Sequence, residues 1–120
     1  MLGSGGVIVI DDKQCMVDLL LVLMHFYHHE SCGQCTPCRE GTGWIHKLTA
    51  SVGQGSGKLQ NIQLIDTVAR NMMGRTICAL AEAAALPAIS FVQKFRSEFE
   101  SHAKDNRCPV KGKCYAQDHH

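Results

Sequence analysis

Three cysteines at a strict three-residue spacing, Cys32, Cys35 and Cys38, restrict what this chain can become more than any other stretch of it. They lie in E-S-C-G-Q-C-T-P-C-R-E-G-T-G-W, residues 30–44, and three thiols within seven residues cannot all pair with one another as disulfides. Their sulfurs can instead converge on one point, because Gly33 permits a tight turn and Pro37 pre-sets a helical φ. A cubane iron–sulfur cluster uses that arrangement, with three thiolates from a short loop and a fourth from elsewhere. Zinc, which takes two cysteines from each of two knuckles, fits C-x2-C-x2-C less well. Three buried, inert thiols are the bland alternative.

The rest of the composition narrows the field. At 120 residues and a formal net charge of +1, the chain is one domain with a modest core. Its lysines and arginines are scattered, so nothing points to nucleic acid. The longest apolar stretch, residues 16–26, is interrupted by Asp18 and His25 and is too short to span a bilayer, so no direct membrane insertion is expected. Seven cysteines, an odd number, argue for reduced thiolates in the cytoplasm rather than a secreted disulfide scaffold. G-Q-G-S-G at residues 53–57 follows no strand-like run and reads as a helix–helix connection. The chain alone is therefore not expected to bind a nicotinamide or flavin nucleotide.

Hydrophobic periodicity predicts an all-α fold, a bundle of about four to five helices with a short N-terminal strand stub at Val7–Ile10. Asp11 and Asp12 are candidate caps for a first helix from Lys13 to His28. Met16, Leu19, Leu20, Leu23, Phe26 and Tyr27 fall on one face, and Val17, Leu21 and Met24 make much of the other apolar, so the helix is expected to be buried on two sides with a further subunit or domain covering it. A second helix starts at Thr36-Pro37, and a third spans residues 59–73, with Ile62, Ile65, Val68, Ala69 and Met72 inward and Gly74 as its stop. Thr76 caps a short fourth helix over 77–85 carrying Cys78 in its first turn, and Leu86-Pro87 restarts the chain into a long fifth.

A cubane needs a fourth thiolate, and Cys15, Cys78, Cys108 and Cys114 compete for the place. Cys78, in T-I-C-A-L, is favoured, because unsatisfied N–H groups at a helix start stabilise a thiolate. Arg39 and Arg75 are placed to offset the cluster's negative charge.

E-S-C-G-Q-C-T-P-C-R-E-G-T-G-W followed by G-R-T-I-C-A-L resembles the iron–sulfur domain of the NADH-binding flavoprotein subunit of complex I, which also occurs in NAD-linked hydrogenases and formate dehydrogenases. The resemblance implies that Cys32, Cys35, Cys38 and Cys78 ligate one 4Fe-4S cluster within a helical bundle. It further implies that the cluster receives single electrons from FMN, after hydride transfer from NADH, and passes them toward further iron–sulfur subunits. The FMN- and NADH-binding region that precedes this domain in the family is missing, so the chain reads as a cut domain or a split subunit. On its own it is not expected to be an enzyme. Residues 1–12 then correspond to a remnant of a small β-containing domain, 13–104 to the iron–sulfur bundle and 105–120 to a cysteine-containing tail. The implied location is cytoplasmic, including the peripheral arm of a membrane-attached complex.

Cys15, Cys108 and Cys114 remain, and with His102 they make a Cys3His set suited to tetrahedral zinc. Such a site would clip the tail to the bundle; the alternative is an ordinary buried Cys15 and two free tail thiols. His25 reads as core or interface, His28 and His29 as surface groups flanking the loop, and Trp44 as a packing anchor for the cluster pocket. The competing functional class is a zinc-stapled structural module, with zinc at Cys32, Cys35, Cys38 and Cys78 and no redox role.

Overall fold

The computed structural model describes residues 5–55, 58–105 and 108. Among the described residues five helices account for the architecture: α1 (Met16–Glu30), α2 (Thr36–Gly53), α3 (Leu59–Met72), α4 (Leu80–Lys94) and α5 (Arg96–Asp105). The fold is an all-α bundle, as the periodicity predicts. Among the described residues α2 packs against both α1 and α3, the one pair of helices whose backbones do not closely approach each other. The expected strand stub is not found: no strand occurs among the described residues, and Val7, Ile8 and Val9 are at least 80% exposed. A β-branched run becomes a strand only against a ladder partner, and these helices offer none.

α1 buries Val17, Leu20, Leu21 and Met24, so of its two apolar faces the one with Val17, Leu21 and Met24 meets the core most fully, while Phe26 on the other is 54% exposed. Both sides of this helix are apolar, and the period alone could not rank them. Its cap also differs from expectation. Asp11 accepts the Lys13 N–H at 2.8 Å in a preceding turn, and the N-cap position falls to Cys15, which makes no side-chain cap. The free N–H of Met16 instead donates to Glu98 Oε2 of α5 at 3.2 Å, a carboxylate at the positive end of the helix dipole.

α2 carries two glycines mid-helix, each costing about 1 kcal/mol in helix propensity. Close approach explains them. A Cβ at position 41 would stand 2.6 Å from Met72 Cγ and Sδ, and one at 43 would stand 3.0 Å from His28 Cε1. The hydroxyls of Thr42 and Thr49, fully buried on the same helix, donate back to the Cys38 and Ile45 carbonyls at 2.7 Å. α3 buries Ile62, Ile65, Ala69 and Met72 as its spacing predicts, and Gly74 follows it at φ +72°.

Two expectations fail in the C-terminal half. Pro87 does not break the chain; α4 runs through it. A mid-helix proline costs about 3 kcal/mol, but Ala81, Ala84, Ala85, Ala88, Ile89 and Val92 bury one continuous small-residue face of that helix, which holds it together across the proline. The break comes instead at Phe95. Cys78 does not lie in a helical first turn either: α4 begins two residues later, and Cys78 sits on the bend between α3 and α4. No helix among the described residues is long and apolar enough to cross a membrane.

Candidate metal centres

The loop joining α1 to α2 and the bend joining α3 to α4 meet at one end of the bundle. Cys32, Cys35, Cys38 and Cys78 line a single concavity of about 140 Å³, together with Glu30, Ser31, Thr76 and Leu80. Cys32 and Cys78 are exposed, Cys35 is half-buried and Cys38 is buried at the start of α2. Gly33 makes the required turn at φ +81°, a conformation an L side chain resists. Arg39 then clamps the loop, donating from Nη1 to the Gly33 carbonyl at 2.6 Å and from Nη2 to Thr36 Oγ1 at 3.3 Å. Its Nε meets Glu40 at 3.2 Å, so its charge is shared with a carboxylate.

The Cys78 bend is tied at several points. Gly74 N–H donates to Glu82 Oε1 at 2.7 Å, and Thr76 Oγ1 donates to the Cys78 carbonyl at 2.9 Å. Ile77 N–H reaches across to Cys35 Sγ at 3.5 Å. A second contact to a cysteine sulfur joins Ser31 Oγ and Cys38 Sγ at 3.3 Å. Neither contact has a sequence signal: a backbone N–H has no signature, and a serine beside a cysteine has many roles. Four cysteines lining one concavity are a donor set soft enough for an iron–sulfur core.

Trp44 is not part of this pocket. It is 54% exposed and lines a separate apolar groove of about 250 Å³ with Pro37, Gly41, Val68 and Met72. His25 is likewise exposed rather than core. His28 is exposed but tied to the helix that bears Cys38: the Thr42 hydroxyl proton is committed to the Cys38 carbonyl, so His28 Nδ1–H donates to Thr42 Oγ1 across 3.2 Å.

A second cluster lies at α5. Cys15, His102 and Cys108 are all buried, and their ligand atoms lie within 4.8 Å of one another. His102 Nδ1 is 2.7 Å from the Glu98 carbonyl, which can only accept, so Nδ1 carries the proton. Nε2 is thereby turned toward Cys15 Sγ, 3.4 Å away. Metal-binding histidines are commonly oriented by such a bond from the other ring nitrogen. Cys114 lies outside the described residues.

A bundle with a four-thiol pocket between two connecting loops is the architecture of a cysteine-liganded metal domain, and comparison with known proteins gives its kind. A family model described as the NADH-ubiquinone oxidoreductase-F iron-sulfur binding region, a 4Fe-4S family, matches residues 18–102. The chain is 43% identical over 109 residues to the NADH-quinone oxidoreductase F 2 subunit of Rhizobium meliloti, covering 91% of this chain and 26% of that protein. It is 45% identical over 103 residues to the corresponding F subunit of Rickettsia massiliae (86% and 24% covered), and 38% identical over 109 residues to that of Streptomyces coelicolor (91% and 24%). The chain belongs to the iron–sulfur binding family of the NADH-quinone oxidoreductase F subunits, and it spans about a quarter of the length of these relatives. An iron–sulfur assignment for the family tells against a zinc staple at the four-thiol pocket.

Proposed function

We propose that this chain is a one-electron relay in which Cys32, Cys35, Cys38 and Cys78 hold a 4Fe-4S cluster. When bound, the cluster supplies reversible one-electron storage, which neither the helices nor the side chains provide. The chain's own contribution is positional. Gly33 and Arg39 shape the loop, the Gly74–Glu82 bond fixes the bend, and α2 carries Cys38 into the protein interior. The observation that supports the reading is that these four cysteines line one concavity in a member of an iron–sulfur family. The relay accepts electrons from FMN on a further domain or a partner chain, after NADH oxidation there, and passes them to a downstream iron–sulfur subunit. The relatives are named as subunits of NADH-quinone oxidoreductases, which supports such a setting, in the cytoplasm or on a peripheral arm.

The buried trio supports a second reading, that Cys15, His102 and Cys108 hold a structural zinc with Cys114 as fourth ligand. Their mutual distances and the committed Nδ1–H of His102 favour it. It would fasten the chain beyond α5 to the start of α1.

The test is iron, acid-labile sulfide and zinc content on anaerobically purified protein, with low-temperature EPR after dithionite reduction. About four iron and four sulfide per chain are expected for a cubane cluster, with a spin-half signal lost in Cys78→Ser. About one zinc alongside them is expected for the second site. Zinc without sulfide, and no reducible signal after reconstitution, would leave a structural module and remove the relay.

A further inference from the structure

The turn that leads out of α1 orients one hydroxyl. Ser31 closes the helix, its N–H donating to the Tyr27 carbonyl at 3.0 Å. Gly33, turned back in the left-handed region, aims its own N–H at Ser31 Oγ across 3.3 Å. That oxygen is also 3.3 Å from Cys38 Sγ. A serine hydroxyl has one proton to give, and a cysteine bound to iron is a thiolate with none. Across this contact only Ser31 can donate once Cys38 is a ligand.

We propose that Ser31 is a positioning residue whose hydroxyl donates to the Cys38 ligand sulfur and raises the reduction potential of the site, an inference that rests on Cys38 ligating iron. Reduction adds negative charge that is spread over the sulfurs, and a hydrogen bond to that charge strengthens as the charge grows. The donor therefore favours the reduced form. The effect falls on the one buried thiol of the four, the one least open to competing water. Cys35 has the longer Ile77 N–H contact, at 3.5 Å. Sequence position alone hides this role, because Ser31 also reads as an ordinary helix-end residue.

The experiment is an EPR-monitored redox titration of the cluster-loaded full-length protein, comparing wild type with Ser31→Ala, Ser31→Gly and Ser31→Thr. Iron and sulfide are counted on each sample first. Loss of the hydroxyl should move the reduction equilibrium about three- to tenfold toward the oxidised form, where tenfold is 59 mV for a one-electron couple. Ser31→Thr should restore the wild-type value. In deuterated buffer, an exchangeable coupling present in wild type and Ser31→Thr should be missing from the alanine and glycine variants. An unchanged potential at full iron content overturns the inference and leaves the relay reading intact. Failure of both hydroxyl-free variants to load iron, while Ser31→Thr loads, makes Ser31 a loop-folding residue and also overturns it. A wild-type protein without iron and sulfide overturns both readings together.

Discussion

Cys32 and Cys78 stand exposed at the rim of an open concavity, whereas Cys15, His102 and Cys108 are each at most 1% exposed. The open site is assembled from two connections between helices, and three of its thiols come from the α1–α2 loop and the first turn of α2. The sealed site joins positions 87 residues apart, from the start of α1 to the last turn of α5, and it is reinforced by the Glu98 cap on Met16. The contrast separates two jobs that metal-binding cysteines can do. A site that exchanges electrons needs an edge another protein can approach, while a site that holds chain ends together gains from being buried and fully hydrogen-bonded.

Metal removal should break this pair apart most visibly. Stripping iron should loosen the 31–35 loop and the bend at Cys78, two segments that the Ile77–Cys35 hydrogen bond joins at 3.5 Å. Amide hydrogen exchange should rise there while α5 stays protected. His102→Ala should do the reverse. It deletes the bond to the Glu98 carbonyl and a buried ligand, costing about 2–3 kcal/mol, seen as a lower melting temperature with zinc lost and the EPR signal retained. If His102→Ala abolished the iron–sulfur signal as well, the two sites would be one cooperative unit and the contrast would fail.

The sequence exposes the open site far better than the sealed one, for a physical reason. Cys32, Cys35 and Cys38 advertise themselves because their spacing is local, and the α3 stripe of Ile62, Ile65, Ala69 and Met72 does so through its period. Long-range features carry no local signal: the Glu98 cap on Met16 spans 82 residues. Composition signals the Cys3His set, but only the fold brings Cys15 to His102. The proline rule misplaced a helix boundary at Pro87 because tertiary burial of the alanine face overrode it. On α1, apolar residues on both sides left the period silent about which side meets the core.

Glycines on α2 allow a finer division. Gly41 is three residues past Cys38, and Met72 of α3 fills the space where a Cβ would go. Gly41→Ala gains about 1 kcal/mol in helix propensity and loses about 1–3 kcal/mol to overpacking, because its Cβ would stand 2.6 Å from Met72 Cγ and Sδ and force that side chain to shift. A net loss of roughly 1 kcal/mol is expected, with reduced iron loading and unchanged zinc. Gly43→Ala meets only the exposed His28 ring, so denaturant melts should place it near wild type. Equal losses from the two substitutions would mean that α2 tolerates neither position and that close approach of Met72 is not the deciding contact.

The smallest effect concerns the seam between α1 and α2, the two helices from which the thiol loop springs. His46 of α2 lies against His25 of α1, with ring centroids 5.4 Å apart. Burial lowers the His46 pKa below its ordinary value of 6.5, and the positive charges of His25, His28 and Lys47 push the same way. The folded protein therefore binds fewer protons here than the unfolded chain does. Stability from this group is complete above the unfolded pKa of 6.5 and is lost as pH falls toward the lowered folded value. Melts at about pH 7.5 and about pH 5.5 should show a drop on acidification that shrinks in His46→Gln. Because the ring is partly exposed the change is small, and it should loosen the 31–35 loop before the α5 clip. An acid drop of the same size in His46→Gln would move the titrating group away from this seam, and with it the idea that mild acid acts on the open site first.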